Sequence, residues 1–262
     1  MVAEYPSEGI AIMVWTDGHL LTASVVSHHQ EALLDRLLPQ LLAIPGLQIV
    51  VTLNAGGESF EASDPRIRVI RNARPKGYGA NHNAAFKLCR TPYFAVLNPD
   101  LGLTSTTFGP LIACVAEAPG VAGPHVYSPA GTIEDSARRL PRIARLLARR
   151  IAGQSSPDYD ASVSRQQVDW VAGMCLMFDS ESFRAVGGFD ERYHLYCEDV
   201  DICLRLHLMY RQVNWVKEAA VVHDARRSSR RRLRYIWWHL SSLTRLFLSA
   251  AYWRFSCSRS AS

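Results

Sequence analysis

Leu21-Thr22-Ala23-Ser24-Val25-Val26-Ser27 is a run of small and β-branched residues closed by a polar one, and residues 21–27 are expected to form a buried strand. Leu33, Leu34, Leu37, Leu38 and Leu41 then share one face of residues 30–42, the spacing of an amphipathic helix. Leu47-Gln48-Ile49-Val50-Val51-Thr52-Leu53 reads as a second strand, closed by Asn54-Ala55-Gly56-Gly57, and residues 67–70 as a short third. Strand, helix and strand in this order predict an α/β fold, its sheet mostly parallel and joined by right-handed crossovers. Ligands of such sheets lie beyond the carboxyl ends of the strands, where Ser27 and Asn54 stand.

Working outward, Arg71-Asn72-Ala73-Arg74-Pro75-Lys76-Gly77-Tyr78-Gly79-Ala80-Asn81-His82-Asn83 leads into an expected helix over residues 84–89. Gly77-Tyr78-Gly79 is either a tight turn or a loop whose N–H groups approach a diphosphate. The full glycine spacing of a dinucleotide-binding turn is absent, which disfavours a nicotinamide-binding domain. Residues 93–97 are a further strand candidate, followed by Asn98-Pro99-Asp100. A carboxylate there is a turn former or a ligand for Mg²⁺ or Mn²⁺, which take one or two carboxylates plus phosphate oxygens. A helix over 106–117, a strand over 121–127, one long strand over 168–178 and a short helix over 180–186 are expected next.

Gly187-Gly188-Phe189-Asp190-Glu191-Arg192-Tyr193-His194-Leu195-Tyr196-Cys197-Glu198-Asp199-Val200-Asp201-Ile202-Cys203-Leu204-Arg205 concentrates the chemistry. Val200, Cys203, Leu204 and Leu208 recur at helical spacing, so a helix is expected to begin near Asp199. Glu198, Asp199 and Asp201 then serve as an acidic helix start, or Asp199 is a general base at the helix mouth with Glu198 holding a partner. A free Asp has a pKa near ~3.9, so Asp199 is expected to be ionised at neutral pH. Short strands over 212–216 and 219–222 lead to His223, and a lone His is more often structural than a ligand.

The chain has 262 residues, 48% of them hydrophobic, enough for one large domain or one domain with a small appendage. No N-terminal stretch has the order of a signal peptide, and no uncharged apolar run reaches the ~18 residues of a membrane span. A short strand is expected within residues 10–15. Six cysteines lack paired metal spacing and read as reduced thiols of a cytosolic protein. From Arg226 onward there are nine arginines and no acidic residue, which leaves the preceding body with a net charge of −4. A basic tail on an acidic body suggests an anionic surface as partner, and nothing else looks specific for nucleic acid. Residues 233–252 place Leu233, Ile236, Trp237, Leu240, Leu243, Phe247 and Ala250 in a stripe. Such a helix packs on the body or a twin subunit, or lies at a membrane interface. Residues 142–151 repeat the pattern with Arg142, Arg145, Arg149 and Arg150, as a solvated face or a phosphate-binding arm, and 154–164 is expected to be a loop.

The 187–205 run resembles the "GGFDE…EDVDLCLR" segment of inverting glycosyltransferases of family 2, and most closely their bacterial rhamnosyltransferase branch. Residues 72–83 are similar to the family's loop along the sugar-nucleotide, and Asn98-Pro99-Asp100 to its variant of the Asp-x-Asp metal motif with only the second carboxylate kept. Residues 131–141 resemble its segment near the active-site mouth, 168–178 the strand where small residues leave room for substrates, and 217–223 its metal-completing His segment. The resemblance covers roughly residues 24–223. It implies a GT-A fold: an extension over 1–19, a catalytic domain over 20–225 and a basic, aromatic helical tail over 226–262. Within the catalytic domain the nucleotide-sugar half spans about 20–105 and the acceptor half about 106–225.

The implied roles are Asp199 as general base, with Glu198 and Asp201 setting orientation. Ser27, Asn54, Asn72, Gly77, Gly79, Asn83, Asn98, Arg139, Trp170 and Gly173 would bind substrate, and Asp100 and His223 a divalent cation, Mg²⁺ or Mn²⁺. The implied partners are a nucleoside-diphosphate sugar, a glycan or lipid-linked acceptor, an anionic membrane surface through residues 226–255, and a second copy as a homodimer. The implied location is cytoplasmic, at the inner face of the cell membrane. One departure bears on the nucleotide: the family has an Asp after the second strand, whereas Thr52-Leu53-Asn54 offers no acid before Glu58. dTDP-rhamnose as donor therefore rests on overall wording. Two other classes stand beside transfer, a sugar-nucleotide-binding scaffold without turnover and a nucleotidyltransferase.

Overall fold

The leucine stripe of the first helix finds its partner in a central sheet. The computed structural model describes residues 19–104, 106–142, 157–224 and 233–260. Strand β1 (Leu21–Ser27) leads through helix α1 (Glu31–Leu42) to β2 (Leu47–Leu53) and β3 (Ile67–Arg71). Then come α2 (Tyr78–Phe86), β4 (Tyr93–Leu97), β5 (Leu101–Leu103), α3 (Gly109–Glu117), β6 (Gly120–Tyr127) and β7 (Ala137–Arg138). β8 (Arg165–Gln167), β9 (Trp170–Val171), β10 (Cys175–Asp179), α4 (Ser180–Ala185), α5 (Glu198–Leu208) and β11 (Gln212–His223) follow. Two helices, α6 (Leu233–Leu248) and α7 (Ala250–Ser260), end the described chain.

The sheet has nine strands in the order β3-β2-β1-β4-β10-β6-β11-β5, with β8 on the side of β11. β1, β2, β3 and β4 are mutually parallel, β10 runs against β4 and β6, and β11 runs parallel to β6. The sheet is thus mostly parallel, as the strand–helix–strand pattern predicts. Both faces are covered, and alternation within a strand shows it: Phe94 and Val96 of β4 enter one core, Ala95 and Leu97 the other. The second core takes Leu34, Leu37, Leu38 and Leu41 of α1, each contributing roughly 1.5–3 kcal/mol on burial. In the first, Phe86, Phe94, Phe178, Phe183 and Phe189 interlock with ring centroids 4.5–6.2 Å apart.

Several elements differ from their sequence expectation. Residues 168–178 form two strands rather than one, because the Gly173 amide leaves the sheet ladder to donate to Asp199 (2.9 Å). The two short strands expected at 212–222 are one strand, β11, whose register against β6 shifts between Val216 and Ala220. The second helix begins at Tyr78, earlier than 84. The tail is two helices because Ser249 interrupts it, its hydroxyl accepting from the Tyr252 amide (3.1 Å) as a cap for the next helix. The strand expected within 10–15, the basic helix-like stretch over 143–150 and the arginine cluster over 226–232 lie outside the described residues.

Candidate active site

Register aligns the ends that matter. Ser27 pairs with Leu53 and Val25 with Leu97, so Ser27, Asn54 and Asn98 stand at one edge of the sheet. Cys175 of the antiparallel β10 also pairs with Leu97, which brings the turn before it to the same edge, and the Asn98 amide donates to the Met174 carbonyl (2.9 Å). A cleft of about 1020 Å³ opens there. Its walls include Asn54, Lys76, Tyr78, Asn98 and Asp100 from the first part of the chain and His194, Tyr196, Arg234 and Trp238 from later segments.

Asp199 sits in the first turn of α5. Its Oδ2 accepts from the Gly173 amide (2.9 Å) and its Oδ1 from the Val200 amide (2.9 Å). The Gly173 carbonyl accepts from the Tyr78 hydroxyl (2.5 Å), which also lies 3.3 Å from Asn98 Oδ1. A continuous polar path therefore links Asp199 to the Asn98-Pro99-Asp100 turn. Glu198, Asp199 and Asp100 all lie near enough to Tyr78 to add to the burial that raises its pKa.

Burial raises the Asp199 pKa, against two amide hydrogen bonds and the charge of Arg138. The ordinary Asp range expected from sequence therefore does not hold here. Glu198 is buried further, and burial together with the Asp199 charge pushes its carboxyl to about 8. Its Oε2 has no partner among the described residues. Of the pair, Asp199 holds the compensating donors, which favours the negative charge on Asp199 and the proton on Glu198. Asp201 is committed elsewhere: it pairs with Arg205 (2.7 Å), which donates to the Val186 (2.7 Å) and Gly188 (2.8 Å) carbonyls and so fixes the diglycine turn.

At the Asn98-Pro99-Asp100 turn, Asp100 Oδ2 is 3.3 Å from His223 Nε2, and His223 Nδ1 is 2.9 Å from Glu134 Oε2. The two carboxylates outweigh burial and raise the His223 pKa to about 9. Asp100 Oδ1 is buried without a partner among the described residues. No group of three or more metal-ligating side chains occurs among the described residues. Asp100, with one carboxylate oxygen unpartnered among the described residues, fits a partial cation site, and His223, oriented through its other nitrogen by Glu134, would join it once its Nε2 gives up its proton.

The remaining sequence candidates divide. Asn54 accepts from the Lys76 amide (2.8 Å) and from Asn72 (2.9 Å), and Asn72 donates to Asn81 (2.7 Å), so these buried amides hold the 72–77 loop. Ser27 donates to Glu58, whose other oxygen accepts from the Ala55 amide (2.8 Å). Gly77 and Gly79 pack against the later loop: a Cβ on Gly77 would lie 2.8 Å from the His194 carbonyl, and one on Gly79 2.6 Å from Phe189 Cβ. Asn83 binds both the amide (2.9 Å) and the carbonyl (2.8 Å) of Phe189. Trp170 is buried, and its indole donates to the Arg139 carbonyl (3.0 Å). The Arg139 guanidinium lies over Tyr159, and it is Arg138, over the Trp170 ring, whose charge reaches Asp199. Sequence reasoning singled out none of Tyr78, Asn81, Glu134, Arg138 and the α6 residues of the cleft. Tyr78 lay inside the quoted glycine turn, and Arg138 one position from the arginine chosen.

Comparison with known proteins agrees with this architecture. The family model "Glycosyl transferase family 2" matches residues 54–168. An N-acetylglucosaminyl-diphospho-decaprenol L-rhamnosyltransferase of Mycobacterium tuberculosis is 30% identical over 189 residues, covering 64% of this chain and 62% of that protein. Rhamnosyltransferase WbbL of Escherichia coli is 38% identical over 79 residues, 30% of each chain. The chain spans less than two thirds of the length of these curated relatives. Among solved structures, GalNAc-T7 with UDP, GalNAc and Mn²⁺ superposes with a TM-score of 0.62 at 13% identity, over 80% of this chain and 45% of that one, which shows a shared GT-A fold. The family model, the rhamnosyltransferase relatives and the fold all liken this chain to glycosyl transferase family 2.

Proposed function

We propose that the chain moves a sugar from a nucleoside-diphosphate sugar to a hydroxyl of a glycan or lipid-linked glycan, with inversion, and that Asp199 is the general base. The observation that carries this reading is the path Asp199–Gly173–Tyr78–Asn98, which ties the late-helix carboxylate to the cleft-lining Tyr78 and the Asp100 turn. Asp199 takes the acceptor proton as the acceptor oxygen attacks the anomeric carbon, and the diphosphate departs on the Asp100 side. The Gly173 and Val200 amides hold the carboxylate in place, and neutral Glu198 keeps a second negative charge away from it. Asp100, with His223 once deprotonated, would hold a divalent cation, Mg²⁺ or Mn²⁺, and the cation would supply charge that offsets the leaving diphosphate. The division of the body into a nucleotide-sugar half and an acceptor half belongs to the same proposal.

The rhamnosyltransferase names of two relatives support L-rhamnose as the sugar transferred, and dTDP-rhamnose as its donor stays with the resemblance of the sequence. The decaprenyl acceptor in the mycobacterial relative's name supports a lipid-linked acceptor here. Such an acceptor places the protein in the cytoplasm at the inner face of the membrane, with the tail as its contact. Among the described residues no helix is long and apolar enough to cross a membrane. The tail does carry exposed apolar side chains, Trp237 at 69% and Trp253 at 58% exposure, beside its arginines.

The test is a thermal-shift panel of nucleotide sugars with Mn²⁺ or chelator, followed by transfer assays with the stabilising donor. The expected result is cation-dependent stabilisation by one donor, release of free nucleoside diphosphate, and an Asp199→Asn variant that binds donor but transfers about 10²–10⁴-fold more slowly. Undiminished transfer by that variant sinks the assignment of Asp199. Donor binding by the wild type without turnover leaves the scaffold reading, and pyrophosphate release the nucleotidyltransferase one.

A further inference from the structure

Four successive residues ahead of the Asp199 helix each meet α6. The Arg245 guanidinium lies over the Tyr193 ring at 6.0 Å, and the Trp238 ring sits 4.3 Å from that of His194. The buried Ser242 hydroxyl donates to the Leu195 carbonyl (2.9 Å), and the His239 ring meets Tyr196 edge-on at 5.1 Å. Positions 238, 239, 242 and 245 share one face of a helix. From the other side, the Tyr78 amide donates to the His194 carbonyl (2.9 Å). The segment is gripped between α6 and the first turn of α2.

What the grip holds is unusual backbone. Tyr196 has φ of 73° and Cys197 of 65°, two consecutive non-glycine residues in the left-handed region immediately before Glu198 and Asp199. That conformation is costly for L residues and persists where surrounding structure enforces it. Release of the segment would let both residues relax and turn the start of α5 away from Gly173.

We propose that α6 is a positioning helix of the reaction: Trp238, His239, Ser242 and Arg245 hold residues 193–197 in the turn that aims Asp199 at the cleft. The role rests on the reading of Asp199 as the base. It makes the tail part of the working site rather than an attachment to it, in keeping with Arg234, Tyr235 and Trp238 lining the same cleft as Asp100.

The experiment compares Ser242→Ala, His239→Ala and the hydroxyl-retaining Ser242→Thr with wild type in the full chain. Hydrogen exchange of peptides spanning 193–199 needs no substrate; steady-state transfer uses the donor found by thermal shift. The expected result for Ser242→Ala is roughly fivefold faster exchange in 193–199, the effect of losing one net hydrogen bond, with other peptides unchanged. Its kcat falls by at least that factor while the donor KM stays, and Ser242→Thr restores both. If Ser242→Ala raises exchange throughout the chain, His239→Ala, which removes only an exposed ring contact, decides by the same two readouts. Unchanged exchange in 193–199, or faster exchange with an unchanged kcat, overturns the proposal while leaving the transferase reading intact. A wild type that binds no nucleotide sugar and transfers nothing sinks that reading and the positioning role with it, whatever the exchange shows.

Discussion

Glu198→Gln tests the electrostatics at the heart of the site. The carboxyl is 5% exposed and adjoins Asp199, and burial with that neighbouring charge raises its pKa from 4.5 to about 8. A carboxyl raised on folding binds its proton more tightly in the native state, so the native chain holds a proton that the unfolded chain has released between these two values. Stabilisation from this group is therefore complete below about pH 4.5, declines as pH rises, and is gone above about pH 8. Each pKa unit is worth about 1.4 kcal/mol, so the wild type is expected to lose on the order of 3–4 kcal/mol between about pH 5 and pH 8. Glutamine keeps the shape and cannot ionise. Urea unfolding should find the two proteins within about 0.5 kcal/mol near pH 5 and the variant ahead by about 3 kcal/mol near pH 8. Parallel stability profiles across this range would show that Glu198 is already ionised at neutral pH, and the division of charge between it and Asp199 would be wrong.

Two further outcomes are expected. Gly79→Ala forces a methyl group to 2.6 Å from Phe189 Cβ, inside the aromatic cluster, and should cost about 1–3 kcal/mol in a melting experiment, whereas Gly56→Ala, with no atom within 4 Å of its Cβ, should leave stability unchanged. Replacing exposed Trp237 and Leu240 by serine should weaken binding to anionic vesicles by at least about tenfold while the folded structure is retained, since each loses roughly 1.5–3 kcal/mol of apolar contact; unchanged vesicle binding would assign that face to a second copy of the chain, which sedimentation would detect.

What the sequence made legible was whatever local pattern encodes. The leucines of α1 and the small, β-branched and apolar runs of β1, β2 and β4 announce elements buried on one or both faces, and the α/β architecture follows from their order. The break at Gly173 was not legible. Residues 170–178 carry no charged or polar side chain to mark a break beyond the indole of Trp170, and the interruption comes from Asp199 and Tyr78, partners 26 and 95 positions away from Gly173. The pKa of Asp199 escaped for the same reason, since burial belongs to the tertiary structure. Gly77 and Gly79 show a subtler limit: a glycine beside a helix start signals that something comes close, but not whether it is phosphate or protein chain. Here the neighbours are His194 and Phe189. The tail's stripe was read as a choice between packing and membrane contact, yet α6 buries Ser242 and Leu246 while leaving Ile236, Trp237 and Leu240 exposed.

Burial of Asp199 has a cost and a chemical return, and the surrounding residues show how the two are balanced. A carboxylate in water is a weak base; removal from water raises its proton affinity, and a base whose pKa approaches the working pH takes a hydroxyl proton more effectively. Left uncompensated, the same burial would simply protonate it. The Gly173 and Val200 amides and the Arg138 charge work against that rise, whereas Glu198 has an unpartnered oxygen and is pushed up to about 8, which favours the proton on Glu198. Two adjacent anions here would repel, so a neutral Glu198 favours the charged form of half-buried Asp199. This arrangement requires the Gly173 amide to point at α5, which a continuous strand cannot do, and it requires α5 to start in register with that amide, which the left-handed pair Tyr196–Cys197 sets. The broken strand, the strained turn and the acidic pair are therefore one device, and a change to any of them should be read first in the basicity of Asp199.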